Sequence, residues 1–475
     1  MTTPYWVAGS ATTSAAELAV HSPFDGALVG TTSQATAADV ERAVAAAEAV
    51  APDLAVLPAH ARAAALDHVS RRLLERAEEI AALITAEAGK PVKWARVEVT
   101  RAASTFRWAA EEARRFSGEL QRLDTDPTAS GRMALVRRVP RGPVLGIAPF
   151  NFPLNLVAHK VAPAIAVGAP IILKPAPATP LTALLLGELL AETDLPAGAW
   201  SVLPVPNEVA AELVTDPRLP VVTFTGSGPV GFGILDRVPR KHVTLELGGN
   251  AAAIVCPDWT DIDWAAQRLA TFAMYQAGQS CISVQRVYVH RAVYDEVAAA
   301  VVAHVDKLGT GDPALPTTDV GPLINRQAAD RVESWVSDAV AAGATLLTGG
   351  GRDGSTVAPT VLSGVPEDAK VVAEEVFGPV VVLQVVDSVE EAFDKVNASR
   401  FGLQAGVFTH DVRTAFLASA KLAVGGVIVG DVPSFRPDQM PYGGVKESGI
   451  GREGVRSTMD DLTEQRVLVL TGLTF

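Results

Sequence analysis

The segment Val221-Val-Thr-Phe-Thr-Gly-Ser-Gly-Pro-Val-Gly231 decides the fold. Its first five residues are β-branched or aromatic, the composition of a buried strand. Gly226, Gly228 and Gly231 then spell G-x-G-x-x-G. Three glycines alone would fit any tight turn. A strand before them and a helix after them predict a dinucleotide site, with backbone amides at the helix N-terminus turned toward a pyrophosphate.

Working outward, strands and helices alternate on both sides. Short apolar strands are expected at 144–147, 171–173, 200–203 and 242–246, with helices at 156–167 and 181–193 between them. Gly168 and Pro170 stop the first of these helices. This alternation means a parallel, doubly wound α/β sheet. Beyond Gly249 a second α/β unit follows, with strands at 251–255, 284–289, 380–383 and 426–429 and helices at 264–275 and 293–308.

The amino-terminal part reads differently. Its first 35 residues are mixed and turn-rich, with Ser22-Pro23 and Asp25-Gly26 as turn signals. Thr36 and Asp39 form a capping-box variant that opens a helix. Leu66, Val69, Leu73, Ile80 and Ile84 mark one longer helix that stops at Gly89, and another runs over 94–116. Residues 118–140 read as a β-hairpin standing apart from the helices. The strand at 465–470 has no helix to return it to its own sheet, so it pairs with that hairpin or with another subunit.

Composition narrows the function. A chain of 475 residues exceeds one hydrophobic core, so two or three domains are expected. Net charge is −13, which argues against nucleic acid or an anionic membrane as partner while leaving small anionic substrates open. The N-terminus lacks a signal-peptide pattern, and the apolar runs are too short and broken to span a membrane. Only two cysteines occur, so no disulfide framework exists, and a reducing, cytoplasmic setting is expected.

Those cysteines differ in setting. Cys256, in Ala-Ile-Val-Cys-Pro, has the surroundings of strand-end packing. Cys281, in Gly278-Gln-Ser-Cys-Ile-Ser283, sits among small and polar residues after a helix and is the candidate nucleophile, against a structural thiol in a turn. Glu246 lies 20 residues after Gly226 and ends a strand, so it suits either a ribose contact or a general base. Spacing alone does not choose. The eight histidines are scattered and no Cys-x-x-Cys occurs, so no metal is expected.

Seven motifs in order make the chain resemble the aldehyde dehydrogenase superfamily over nearly its whole length. They are Pro149-Phe-Asn-Phe-Pro-Leu154, Leu173-Lys-Pro-Ala-Pro177, the 224–231 segment, Glu246-Leu-Gly-Gly-Asn250, Gly278-Gln-Ser-Cys281, Glu374-Glu-Val-Phe-Gly-Pro379 and Pro441-Tyr-Gly-Gly-Val-Lys-Glu-Ser-Gly449. The resemblance implies two doubly wound α/β domains and a small β oligomerisation arm. Residues 1–117 and 141–249 would form a Rossmann-like NAD(P)-binding domain, 250–449 the catalytic domain, and 118–140 with 455–475 the arm of a homodimer or dimer-of-dimers tetramer.

The resemblance also implies roles. Cys281 matches the nucleophile, Asn151 the amide that holds the oxyanion with the Cys281 N–H, and Glu246 the general base that releases the acid. Lys174 matches the adenosine-ribose lysine, Ser227 lies at the pyrophosphate, and Glu375 and Phe377 steady the nicotinamide. Ala148, Pro149, Phe150, Pro177, Phe224, Gly226, Val230, Leu247 and Gly248 complete the expected NAD(P)+ site. The implied reaction is oxidation of a small aldehyde through a thiohemiacetal and thioester, then hydrolysis. A branch that transfers the acyl group to coenzyme A typically lacks the glutamate. That activity, and a non-catalytic protein retaining the fold, are the alternatives.

Substrate identity is less defined. The segments around Asn151 and Cys281 look most like the branch holding lactaldehyde, non-phosphorylating glyceraldehyde-3-phosphate and succinate-semialdehyde dehydrogenases. Arg101 and Arg436 are candidates for gripping an anionic tail, or solvated surface arginines; Ser280 and Ile282 flank the nucleophile. Pro177 stands where NAD-preferring members commonly carry Glu, so NADP is also expected to serve. Tyr442 stands where many members carry Phe, and Gly430 where Asn is common.

Overall fold

The computed structural model describes residues 2–472. Residue 1 of the expected cofactor domain and residues 473–475 of the expected arm lie outside the described residues. The larger sheet runs, edge to edge, through Gly449–Ile450, His242–Glu246, Val221–Thr225, Val144–Ile147, Ile171–Lys174, Trp200–Val202, Tyr5–Val7 and Ser10–Thr12. Its five central strands are parallel, and antiparallel pieces cap both edges. Strand order reverses between Val144–Ile147 and Val221–Thr225. Ligands of open α/β sheets bind outside the carboxyl ends of the strands at such a reversal.

A second sheet of seven strands holds Ala252–Val255, Arg286–His290, Val380–Val386, Gln404–Phe408 and Gly426–Val429, all parallel. Each sheet has its own large apolar core, one built around Leu145, Ile172 and Val222, the other around Val255, Val287 and Val382. A third, antiparallel sheet joins Glu119–Arg122, Arg132–Pro140 and Thr463–Thr471. The carboxy-terminal strand therefore pairs with the hairpin of its own chain. It is also the outer strand of that sheet, with Val467, Leu468 and Val469 exposed.

Local signals account for several helix ends. Thr36 accepts from the Asp39 N–H while Asp39 accepts from the Thr36 N–H, so both halves of the capping box form ahead of Ala37–Val56. Gly89 and Gly168 end their helices in the left-handed conformation. The stripe from Leu66 to Ile84 corrects the single helix expected there. It is two helices, Ala59–Glu75 and Ala77–Ala88, joined at Arg76. Arg76 leaves helical geometry at φ −105° and ψ 22° and binds Glu79 and Glu188. The apolar stripe stays buried on both sides of the break.

The turn-rich amino terminus holds five short strands, which the sequence reading missed. Tyr5–Val7 and Ser10–Thr12 form a hairpin on the large sheet, turning at Ala8 and Gly9 with φ of 52° and 82°. Such a turn is usually announced by Asn-Gly; Ala-Gly gives no such notice. Among the described residues, no helix is long and apolar enough to cross a membrane.

Candidate active site

Two cavities open where the two α/β units meet. The larger, of about 780 Å³, lies at the carboxyl ends of the large sheet's strands. Ala148, Pro149, Phe150 and Asn151 follow one strand, while Lys174 ends the next and Pro177 lies just beyond it. Phe224, Gly226, Ser227 and Val230 come from the glycine segment, Glu246, Leu247 and Gly248 from the strand His242–Glu246 and its exit, and Glu375 and Phe377 from the second unit. Every residue expected at the cofactor thus lines one space.

The glycine segment turns as its spacing requires. Ser227 precedes the helix Gly228–Arg237, whose amino end faces the cavity. A Cβ on Gly231 would collide with the Leu247 side chain, so this glycine lets helix and strand close together. Lys174 donates to Asn207 at 3.2 Å, and burial lowers its ammonium pKa. A cavity of this size, with a helix amino terminus and close glycine backbone at one end, fits a dinucleotide.

The smaller cavity, about 220 Å³, is lined by Arg101, Ser280, Ile282 and Arg436, together with Arg268, Ser434 and an aromatic wall of Trp94, Phe152, Phe272, Tyr275, Phe435 and Tyr442. Among the described residues, only Leu156 and Cys281 line both cavities. The sulfur therefore stands at the junction. Cys256, by contrast, is buried in a separate apolar cluster with Tyr288 and Phe393.

Neither arginine is a solvated surface group. Arg436 is buried, donates to Glu453 at 2.8 Å, and has an Nε with no hydrogen bond within the described protein. Arg101 is a quarter exposed and donates to Asp438 at 2.9 Å. Asp438 also meets His159 at 3.1 Å and Asn155 at 3.3 Å. Burial opposes the Asp438 charge, yet His159 and Arg101 hold its carboxyl well below the usual range.

The ionisation of the centre is set mostly by burial. Burial pushes the Glu246 carboxyl well above its ordinary range, and Glu453 adds repulsion, while Arg436, Lys160 and Arg452 pull the other way. Both Glu246 oxygens are buried without a hydrogen bond to the described protein. Gly443 approaches them closely, with φ of +153°, and a Cβ there would press on Glu246. Glu453 behaves oppositely: burial works against its charge, but Arg436, then His159 and Lys160, outweigh it and lower its pKa. Burial lifts Glu375 to about 7, opposed by the Gly249 N–H that it accepts at 2.9 Å. Cys281 is pushed up to about 12 by burial, opposed by Tyr442 and Arg436.

The loop that carries Cys281 is held from several sides. Asn151 donates from Nδ2 to the Gln279 carbonyl at 2.8 Å. Gln279 accepts from the Ile324 N–H at 2.9 Å, and Ser434 donates to the Ile282 carbonyl at 2.6 Å. Gln276 and Ala277, just upstream, have φ of 55° and 53°, and Phe377 has 47°. Left-handed non-glycine residues are strained and persist only where their surroundings over-determine them.

Sequence reasoning missed part of both walls. Asn207, Ala210, Ala211 and Val214 form one face of the helix Asn207–Thr215 along the larger cavity. Their spacing of three and four was a readable signal. Arg268, held by Asp431 through bonds of 2.7 and 2.8 Å, joins the smaller cavity from the helix Ile262–Met274. Nothing in its local sequence announces that position.

Comparison with known proteins agrees with this architecture. The aldehyde dehydrogenase family model matches residues 6–468. The chain is 43% identical to the 3-sulfolactaldehyde dehydrogenase of Priestia aryabhattai over 92% of its own length and 91% of that protein. The crystal structure of aldehyde dehydrogenase 21 from Physcomitrella patens, in complex with the reaction product succinate, superposes with a TM-score of 0.97. Identity there is 47%, covering 99% of this chain and 98% of that one. NADP-dependent glyceraldehyde-3-phosphate dehydrogenase from Bacillus halodurans, complexed with NADP, gives a TM-score of 0.95 at 34% identity, covering 99% of each chain. The chain belongs to the aldehyde dehydrogenase family.

Proposed function

We propose that this protein oxidises a small aldehyde carrying an anionic tail to the corresponding acid, with NAD(P)+ as hydride acceptor. The observation that carries the reading is Cys281 at the junction of the two cavities. A nicotinamide nucleotide would be held by Lys174, the 226–231 turn, Glu375 and Phe377, and would supply a hydride acceptor there. Cys281 Sγ bonds to the aldehyde carbon, and the Asn151 amide with the Cys281 N–H stabilises the oxygen that becomes negative. Loss of hydride from that carbon leaves a thioester on Cys281. Glu246 then takes a proton from water as it attacks the thioester, and collapse expels the Cys281 thiolate and the acid.

An anionic tail is supported by three arginines on the smaller cavity, and by the unpaired, buried Nε of Arg436. The compared proteins support the same reading, since one is a 3-sulfolactaldehyde dehydrogenase, one is in complex with its reaction product succinate and one is a glyceraldehyde-3-phosphate dehydrogenase. A panel of short aldehydes ending in sulfonate, carboxylate or phosphate, each set against a neutral aldehyde of equal length, tests this. Anionic members should win by at least about tenfold in kcat/KM, the effect of roughly one charge-assisted hydrogen bond. Arg101→Gln should erase that margin and leave neutral aldehydes unchanged. Equal turnover of neutral aldehydes would remove the anionic requirement.

A further inference from the structure

We infer that the Tyr442 hydroxyl is a catalytic hydrogen-bond donor to Cys281 Sγ that eases ionisation of the thiol to the attacking thiolate. The inference rests on Cys281 being the nucleophile. Tyr442 Oη lies 2.9 Å from Cys281 Sγ, a contact between residues 161 positions apart. The ring has little freedom. Tyr442 donates its N–H to the Glu453 carbonyl at 2.8 Å and accepts the Glu453 N–H at 2.6 Å. Its face is covered by the Arg436 guanidinium, whose carbon is 3.6 Å from the ring centroid. Arg436 is in turn held by Glu453. Position and orientation of the hydroxyl are therefore set by the same buried unit.

The sulfur needs such a donor. Burial disfavours its charge, the Glu375 and Glu246 carboxyls oppose it further when they ionise, and Arg436 is a cation that favours it. Tyr442 itself stays protonated. Burial raises its pKa well above the phenol range, Cys281 and Glu246 add to that, and Arg436 counters. A phenol that keeps its proton beside a thiolate donates to it and does not compete as a base. A cation against the ring face draws electron density from the phenol and strengthens the donor. When the sulfur bonds to the aldehyde carbon it loses its charge, and the hydrogen bond weakens at that moment.

Tyr442→Phe removes only the oxygen and keeps the ring, its backbone bonds and the Arg436 stack. The experiment measures the rate at which iodoacetamide alkylates Cys281 in the full-length protein, from neutral to strongly alkaline pH, by mass spectrometry of the modified peptide. A hydrogen bond to a charged group corresponds to a shift of roughly 1–2 pH units, so at any pH where the thiol predominates the variant should be alkylated roughly ten- to a hundredfold more slowly. The kcat/KM with an accepted aldehyde should fall about tenfold or more near neutrality. Cofactor binding, followed by fluorescence, should be unchanged, which reports an intact fold. An alkylation rate that is unchanged or faster in the variant overturns the inference, as does a kcat/KM that does not fall. Activity surviving in Cys281→Ala would instead overturn the nucleophile reading, so the two failures are distinguishable.

Discussion

The Asn151 side-chain amide is tied by one hydrogen bond, 2.8 Å long, to the carbonyl of Gln279, two residues before Cys281. One N–H of that amide is thereby spent on the loop, and the amide plane is fixed relative to Cys281. Asn151→Ala should lower kcat by about 10²–10³, the cost of losing one oxyanion donor, with the cofactor dissociation constant nearly unchanged. Steady-state kinetics beside a binding titration check this. A fall in cofactor affinity of similar size would recast Asn151 as a wall of the cofactor cavity.

Cys281 and Cys256 offer an internal control. Cys281→Ala should abolish turnover and retain cofactor binding. Cys256→Ala should stay active and lose at most a few kcal/mol of stability from its packed site. Equal loss of turnover in both would dissolve the distinction drawn from their surroundings.

Glu246 carries the strongest pH prediction. Its pKa is raised by burial and by Glu453, so its basic form grows in as pH rises through values above the normal carboxylate range. If deacylation limits turnover, kcat should climb with pH over that window. At lower pH a rapid burst of reduced cofactor, near one per site, should precede a slow steady rate. Glu246→Gln should keep the burst and lose the pH dependence. A burst that vanishes along with turnover places Glu246 in an earlier step.

Pro177 lies on the cavity wall close to Lys174 and offers no carboxylate to the ribose. NADP should therefore serve at least comparably with NAD. Pro177→Glu should weaken use of NADP by roughly 1–3 kcal/mol, the scale of an ill-matched buried polar contact. The ratio of kcat/KM for the two cofactors in both proteins decides. A large NAD preference that the substitution leaves unmoved would exonerate this position.

The three-stranded arm predicts association. Thr463–Thr471 is an outer strand with Val467, Leu468 and Val469 exposed, and open strand edges pair readily. Sedimentation at micromolar concentration should show a homo-oligomer, and Leu468→Pro should shift it toward monomer. A monomeric wild type would leave that edge without its expected occupant.

What was legible in the chain follows from range. Thr36 with Asp39, and Gly168 as a helix stop, act within a few residues, and each took the geometry its local chemistry required. The cavity positions came from contiguous motifs, each of which keeps neighbours in sequence as neighbours at the site. The break at Arg76 was hidden because the apolar stripe runs through it without a missed beat. The amino-terminal strands gave little local warning because their tight turn lacks the usual residues. The Tyr442–Cys281 contact, the Arg436–Glu453 pair beneath it, and Arg268 on the tunnel wall depend on tertiary folding alone.

Because only Leu156 and Cys281 among the described residues border both cavities, the two chambers can change independently. Arg101 and Arg268 stand on helices that lie away from the 226–231 turn, while Lys174 and Pro177 have no place on the smaller cavity. A lineage built on this plan can change the aldehyde it accepts by altering the aromatic and arginine walls, without renegotiating how it grips its nucleotide. It can equally switch nucleotide without disturbing what it oxidises. The same separation makes the chain a practical host for redesign, in which the sulfur stays and either room is refurnished.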